Sequence, residues 1–152
     1  MTTKQSFRAR GRSAARLAAA QALYQHGMEK TPGPQLLHEF HQHRLGAIVE
    51  DAEYHDAEVE FFDDVVQGAL AREAEIAAVL GKRLPAEWRY ERLDRALRAI
   101  LQAATYELLA RPDVTVRTVI NEYLDVADAF YEKREKGFVN AVLDAVAKDV
   151  RA

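Results

Sequence analysis

The chain has 152 residues, of which 49% are hydrophobic, and it contains no cysteine. This length suits one domain, built on a single core or on two small packed subdomains. The lack of cysteine excludes disulfides, thiolate metal sites and cysteine nucleophiles. No apolar run approaches the length of about 18 residues that a membrane span needs, and the N-terminus lacks the apolar stretch of a secretory signal. We therefore expect a cytoplasmic protein.

Charge is distributed unevenly along the chain, whose formal net charge is -3. Residues 1–30 hold six basic residues and one acidic residue, a charge of +5, whereas residues 31–152 hold fifteen basic and twenty-three acidic residues, a charge of -8. This asymmetry predicts an anionic partner for the N-terminal end. The acidic remainder argues against a protein that coats nucleic acid indiscriminately.

The first part of the chain is predicted to be helical, because glycine and proline are few and apolar residues recur at spacings of three and four. A helix over about 13–28 is expected to have Ser13 as its N-cap. Its apolar stripe is predicted to contain Leu17, Tyr24 and Met28. A break at residues 31–34 precedes a second helix over about 35–49.

A long third helix is predicted over about 56–81, with Gly81 just past its end. Its apolar register contains Val59, Phe62, Val66, Ala69, Ile76 and Leu80. Residues 84–90 are predicted to form a turn or a short helical piece between two subdomains.

The last part of the chain is predicted to contain helices over about 92–110 and 115–131, followed by the charged loop "EKREKG" (132–137) and a final helix. The prediction is an all-α chain of about seven helices, in an N-terminal bundle over about 11–81 and a C-terminal bundle over about 84–151.

Four arginines lie within ten residues near the N-terminus, in the segment "FRARGRSAAR". On a helix, Arg12 and Arg16 lie one turn apart and face the same way, whereas Arg8 and Arg10 are expected on a flexible arm. Guanidinium groups bind phosphate bidentately, and the phenylalanine of this segment offers a stacking platform for unpaired bases. The segment favours a nucleic-acid-binding edge, and the alternative is a solvated basic tail.

A second basic cluster precedes the last helix and consists of Lys133, Arg134 and Lys136. If the last helix packs near the first, both basic clusters border one groove. The alternative is an ordinary charged loop that Glu132 and Glu135 partly neutralise.

No catalytic, metal or cofactor site is predicted. Among the histidines, His38 and His41 can share a helix face but His43 points elsewhere, and no HExxH pattern is present. The carboxylates of residues 50–64 fit a solvated, acidic helix start. The sequence has no glycine-rich phosphate loop, no dinucleotide motif and no GxSxG motif.

Four segments in a fixed order carry a family resemblance. They are "RSAARLAAAQALY" (12–24), "LRAILQAATYEL" (97–108), "VINEYLDVADAF" (119–130) and "GFVNAVLDAVA" (137–147). Together they resemble the NusB family of bacterial transcription antitermination factors, over nearly the whole chain and least from about residue 30 to 54. The resemblance implies a non-enzymatic protein with two packed helical bundles. It also implies binding to the single-stranded boxA element of ribosomal-RNA leader transcripts together with NusE, alongside other Nus factors on RNA polymerase.

The resemblance further implies which residues contact RNA. The family's arginine-rich start falls on Arg12 and Arg16, although three small residues separate them where relatives commonly have adjacent arginines. Phe138 matches the family's FVN motif, either as an RNA-facing ring or as a core anchor. With the arm and loop residues, the expected RNA contacts are Arg8, Arg10, Arg12, Arg16, Gln21, Tyr24, Lys133, Arg134, Lys136 and Phe138.

The surface for NusE is expected around Glu91, Arg95 and Arg98. Two other functions remain open: an RNA-binding module of ribosomal-RNA modification machinery, and a helical protein-binding adaptor whose basic arm is incidental. A homodimer that pairs through the arginine face also remains open.

Overall fold

The computed structural model describes residues 3–41, 55–130 and 133–151, with side chains for 11–41, 59–130 and 135–151. Within these residues the chain forms seven α-helices, one short 3-10 helix and no strand, which confirms the all-α prediction. The helices are α1 (Thr3–Glu29), α2 (Gly33–Glu39), α3 (His55–Ala71), α4 (Glu73–Gly81), the 3-10 helix Tyr90–Arg92, α5 (Arg95–Ala110), α6 (Val116–Phe130) and α7 (Lys133–Val150). No helix among them is long and apolar enough to cross a membrane.

The central helix is α1, which packs against α3, α5 and α6. Its fully buried face is mostly alanine, and these small side chains let neighbouring helices approach closely: Ala15, Ala18, Ala19, Ala20, Ala22 and Leu23. The predicted stripe was therefore wrong, because Tyr24 and Met28 are 37% and 49% exposed and Leu17 is only partly buried.

The start of α1 also differs from the prediction. The helix begins at Thr3, so Arg8 and Arg10 belong to it and not to a flexible arm. Their side chains lie outside the described ones. Ser13 is inside the helix, where its hydroxyl donates to Glu122 at 2.6 Å instead of capping the helix. The helix ends before Lys30, whose φ of 58° is the left-handed conformation common after a helix.

The predicted long third helix is two helices, α3 and α4. Arg72 lies between them with φ -108° and ψ 24° and is the N-cap residue of α4. The predicted apolar register is nevertheless confirmed, since most of its members are buried and Val59 packs partly buried against the core. The predicted second helix ends at Glu39, and its expected extension to residue 49 runs into residues outside the described ones.

The C-terminal part is organised around α5, which packs against α1, α3, α4, α6 and α7. Asp94 caps its N-terminus, where one carboxylate oxygen accepts from the backbone N–H of Ala96 at 2.9 Å and of Leu97 at 3.3 Å. Most of the predicted loop 132–137 is the first turns of α7, which begins at Lys133. The boundary between two bundles near residues 81–84 stays a prediction, and α1 and α5 pack directly on each other across it.

Candidate functional site

The two arginines predicted to share an exposed face of α1 have different environments. The side chain of Arg12 is 34% exposed at the edge of the helix, whereas Arg16 as a whole is 2% exposed. The side chains of Arg12 and Arg16 differ in direction by about 40° around the helix axis. Because several helices pack around α1, this difference places Arg12 at the protein surface and Arg16 in the interior. The expectation that Arg16 lies on an RNA-facing surface needs correction: the side chain points into the protein.

Arg16 is the centre of a buried ion-pair network. Its Nε and Nη2 atoms donate to the two carboxylate oxygens of Glu107 at 2.9 and 3.0 Å. Its Nη1 atom donates to Glu122 at 2.7 Å. The hydroxyl of Tyr123 also donates to Glu107, at 2.5 Å. Since Glu107 is fully buried, these hydrogen bonds replace the water that its charge would otherwise require.

The network shifts the titration of its members. Burial lowers the pKa of Arg16, but the hydrogen bonds and charge of Glu107 raise it by more, so the net shift is upward. Burial, followed by the charge of Glu107, raises the pKa of Tyr123 well above its usual value. The guanidinium therefore stays charged and the phenol stays neutral, and the network fastens α1 to α5 and α6.

A group of mostly part-exposed side chains surrounds the buried ring of Phe61 next to this network and is called the arginine cluster here: Arg12, Phe61, Asp64, Arg111 and Asp113. The guanidinium carbons of Arg12 and Arg111 lie 4.6 and 4.9 Å from the centre of the Phe61 ring. Burial and the neighbouring charge of Arg111 lower the pKa of Arg12. The guanidinium carbon of Arg16 lies 4.8 Å from the same ring centre, so three guanidinium groups meet on one aromatic ring. The two that are partly exposed, those of Arg12 and Arg111, are placed to bind an anion.

Arg111 follows the end of α5 and is fixed from two sides. Its Nη1 atom donates to Asp64 at 3.1 Å, while its Nε and Nη2 atoms donate to Asp113 at 3.1 Å each. Asp64 in turn accepts a hydrogen bond of 2.6 Å from the hydroxyl of Tyr106. This chain of contacts sets the position of the Arg111 guanidinium before any partner arrives.

The backbone that carries Arg111 is held by Arg151, which follows the end of α7. The Arg151 guanidinium donates to four carbonyl oxygens, including two in the last turn of α5: Leu108 at 2.8 Å, Val114 at 2.6 Å, Glu107 at 3.0 Å and Arg111 at 2.7 Å. The carbonyls of Glu107 and Arg111 also accept backbone hydrogen bonds, from the N–H of Arg111 at 2.9 Å and of Val114 at 3.0 Å. Arg151 adds a second donor to these two and a donor to Leu108 and Val114, which holds the loop 111–114 against α7.

A second surface feature lies at the other end of α1 and is called the Tyr24 groove here. It has a volume of about 540 Å³ and is lined by Tyr24, Met28, Asp94, Arg95, Ala96 and Phe130. The Nη1 atom of Arg95 lies 3.1 Å from the sulfur of Met28. The structure thereby brings together Tyr24, predicted to contact RNA, and Arg95, predicted to contact a protein partner.

The other predicted partner residues, Glu91 and Arg98, and the predicted RNA contact Gln21 are exposed or half-buried. Glu91 is exposed on the 3-10 helix. The guanidinium of Arg98 lies 5.7 Å from the centre of the Tyr90 ring and is half-buried. Gln21 is half-buried on α1.

The described side chains among the predicted contacts on α7 have neighbours that belong to neither feature. Phe138 is partly buried against the core, and its ring centre lies 4.8 Å from that of Trp88. Lys136 pairs with Asp128 at 3.0 Å. The side chains of Lys133 and Arg134 lie outside the described ones.

Sequence reasoning missed Phe61, Arg111 and Asp113. One indication was available: Glu107 is a carboxylate inside the apolar register of α5, and a buried carboxylate requires a cation nearby. That cation is Arg16. Because Arg16 is the partner of Glu107, Arg12 pairs with a different carboxylate, that of Asp113. The described residues contain no group of three metal-ligating side chains. His41 instead lies 2.6 Å from Asp63, while His43 is outside the described residues.

The fold and the arginine cluster define a class of all-helical domain with a cationic edge on its central helix. Residues 13–148 match the profile of the NusB family. The chain is 65% identical over 144 residues to transcription antitermination protein NusB of Sphingopyxis alaskensis, covering 95% of this chain and 97% of that protein. It is 62% identical over 142 residues to the NusB of Novosphingobium aromaticivorans, covering 93% and 96%. The chain belongs to the NusB family.

Solved structures agree with this assignment. T. maritima NusB superposes with a TM-score of 0.77 at 28% identity, covering 91% of each chain. A chain from the complex of antitermination factors NusB and NusE with double-stranded RNA superposes with a TM-score of 0.72, covering 92% of this chain and 98% of that one. At 24% identity, the second comparison shows a shared fold.

Proposed function

We propose that this protein is a transcription antitermination factor that binds the boxA element of nascent ribosomal-RNA transcripts together with NusE. The complex joins other Nus factors on RNA polymerase and supports processive transcription of ribosomal-RNA operons. The role requires no cofactor and no catalysed reaction, and it places the protein in the cytoplasm with the transcript. The name shared by the two relatives above 60% identity supports the antitermination role.

The observation that carries the RNA-binding part is the position of Arg12. Its guanidinium is partly exposed beside that of Arg111, on a protein whose other charges are mostly negative. An acidic body repels RNA elsewhere and directs a transcript to this edge. Arg8 and Arg10, on the same helix, extend the positive charge toward its N-terminus. With roughly three phosphate contacts, the logarithm of the affinity falls with the logarithm of salt at a slope of about -2.

The Tyr24 groove supports a protein partner. Tyrosine and arginine are enriched among the residues that dominate binding energy at interfaces, and the groove contains Tyr24, Arg95 and the exposed Met28. We assign NusE to this groove and RNA to the arginine cluster. Both features are on α1, about 18 Å apart for twelve residues of helix, so one complex has room for both partners.

Fluorescence anisotropy tests the proposal with three labelled RNAs: a boxA single strand, a scrambled single strand and a boxA duplex. Each is titrated with the protein, with and without NusE, at two salt concentrations. We expect boxA to bind more tightly than the scrambled strand and NusE to strengthen boxA binding. The duplex tests whether the preference is for unpaired RNA.

Two substitutions separate the surfaces in this assay. Arg12→Gln should weaken RNA binding with and without NusE, by about three- to ten-fold for one lost charge-assisted contact. Arg72→Gln is the matched control, because Arg72 is 37% exposed and paired with a neighbour, Glu75. Tyr24→Ala should remove the effect of NusE and leave binding to RNA alone unchanged. Normal RNA binding by Arg12→Gln would favour the protein-binding adaptor instead.

A further inference from the structure

The arginine cluster contains a carboxylate where an external anion would bind. Asp113 accepts two hydrogen bonds from one guanidinium, from Nε and Nη2 of Arg111, both at 3.1 Å. This two-point contact is the one that a guanidinium also makes with a phosphate. The Oδ2 atom that Arg111 contacts through Nη2 lies 3.9 Å from Nη1 of Arg12. One oxygen of Asp113 therefore lies between two guanidinium groups.

Asp113 is also the residue of the arginine cluster whose side chain can move away from the two guanidinium groups. Its side chain is 53% exposed, so water can take over its solvation when it moves. Hydrogen bonds from Arg111 hold the pKa of Asp113 below its usual value, so the carboxylate is ionised at neutral pH. Arg111 keeps its hydrogen bond to Asp64 and its place on the Phe61 ring after Asp113 departs. The guanidinium of Arg111 therefore keeps its position when the side chain of Asp113 moves away.

We propose that Asp113 is an internal competitor for RNA phosphate: its carboxylate occupies a phosphate site formed by Arg12 and Arg111, and bound RNA displaces it. This inference rests on the proposed RNA-binding function and extends it to Arg111, a residue of the loop after α5. The competition lowers affinity for any phosphate that is not presented in the correct position. It thus discourages loose binding to arbitrary RNA.

The test compares two charge-removing substitutions by anisotropy with the boxA single strand. Asp113→Asn frees the site and should tighten binding by about two- to five-fold, the range that an exposed ion pair contributes. Asp144→Asn is the matched control: its side chain is 59% exposed and pairs with Lys148 on the same helix, at 3.3 Å. It removes the same charge away from the cluster, so its effect measures the general change in electrostatic attraction.

A third measurement tests whether the tighter RNA binding of Asp113→Asn arises at the site formed by Arg12 and Arg111. In an Arg111→Gln background, Asp113→Asn should tighten binding no more than Asp144→Asn does, because the two-point contact is gone. An Arg12→Gln background leaves the two-point contact of Arg111 with Asp113 in place, so in that background Asp113→Asn should still tighten binding more than Asp144→Asn does. Equal gains from Asp113→Asn and Asp144→Asn would overturn the competitor role. A wild-type protein that binds no RNA would instead overturn the proposed function itself.

Discussion

The buried pair of Arg16 and Glu107 predicts a large loss of stability when one partner is removed. Arg16→Met keeps a long side chain in place but removes the two guanidinium hydrogen bonds to Glu107. Glu107 then keeps the hydroxyl of Tyr123 as a donor, for a charge with no exposure to solvent. Breaking a buried pair in this way costs about 3–5 kcal/mol. At about 2–4 °C per kcal/mol for a domain of this size, the unfolding midpoint should fall by about 6–20 °C.

Circular dichroism at increasing temperature and in urea measures this loss. Arg72→Met is the control, since it breaks an exposed pair with Glu75 and should leave the unfolding midpoint close to that of the unsubstituted protein. The double substitution Arg16→Met with Glu107→Gln removes the unpaired charge and should recover much of the stability. If Arg16→Met proved as mild as the control, the reasoning that Arg16 is a structural residue would be refuted.

Two further predictions concern the ring of Tyr106. Gly68→Ala should lower the free energy of unfolding by about 1–3 kcal/mol, because an added Cβ would lie 2.1 Å from that ring, whereas Gly137→Ala, with open space around it, should not; equal urea midpoints for the two variants would contradict this. Burial and the hydrogen bond to Asp64 raise the pKa of Tyr106 to about 12, so its contribution to stability is complete below pH 10 and lost as the pH rises toward 12. Urea unfolding across this range should show a shallower decline for Tyr106→Phe, and an unchanged decline would exclude this phenol as the cause.

The sequence was sufficient for the helices that have one clearly apolar face. The register of the long third helix was predicted correctly, because its valine, isoleucine, leucine and phenylalanine residues mark one buried face. On α1 the same reasoning failed. Two of its large apolar side chains, Tyr24 and Met28, line a groove, while the buried face consists mostly of alanine, which is common on both exposed and buried faces of helices. Because alanine does not distinguish a buried face from an exposed one, the sequence does not show which faces of α1 pack against its neighbours.

The candidate site was predictable in its location and not in its composition. The charge asymmetry identified the N-terminal end, and Arg12 is partly exposed there. Arg16 is buried and Arg12 is partly exposed because Glu107 and Glu122 bind the guanidinium of Arg16. These two carboxylates are distant from each other in sequence and become neighbours through the packing of α5 and α6. Likewise, Arg111 joins Arg12 because both lie on the Phe61 ring, a contact among three separate segments. One sequence shows residue types and spacing along an element but not which elements meet.

Arg151 is synthesised after every residue of the arginine cluster, although it holds the backbone that carries Arg111. The chain is synthesised from its N-terminal end, so α1, α5 and the loop 111–114 all exist before the residue that fixes the loop. Until Arg151 is made, its four hydrogen bonds to carbonyl oxygens are missing, and the loop 111–114 has only the backbone hydrogen bonds from Arg111 to Glu107 and from Val114 to Arg111. The hydrogen bonds of Arg151 are thus added only after every residue of the arginine cluster has been synthesised. A nascent chain that has not yet reached Arg151 already contains α1 and α5, but its loop 111–114 still lacks these four hydrogen bonds.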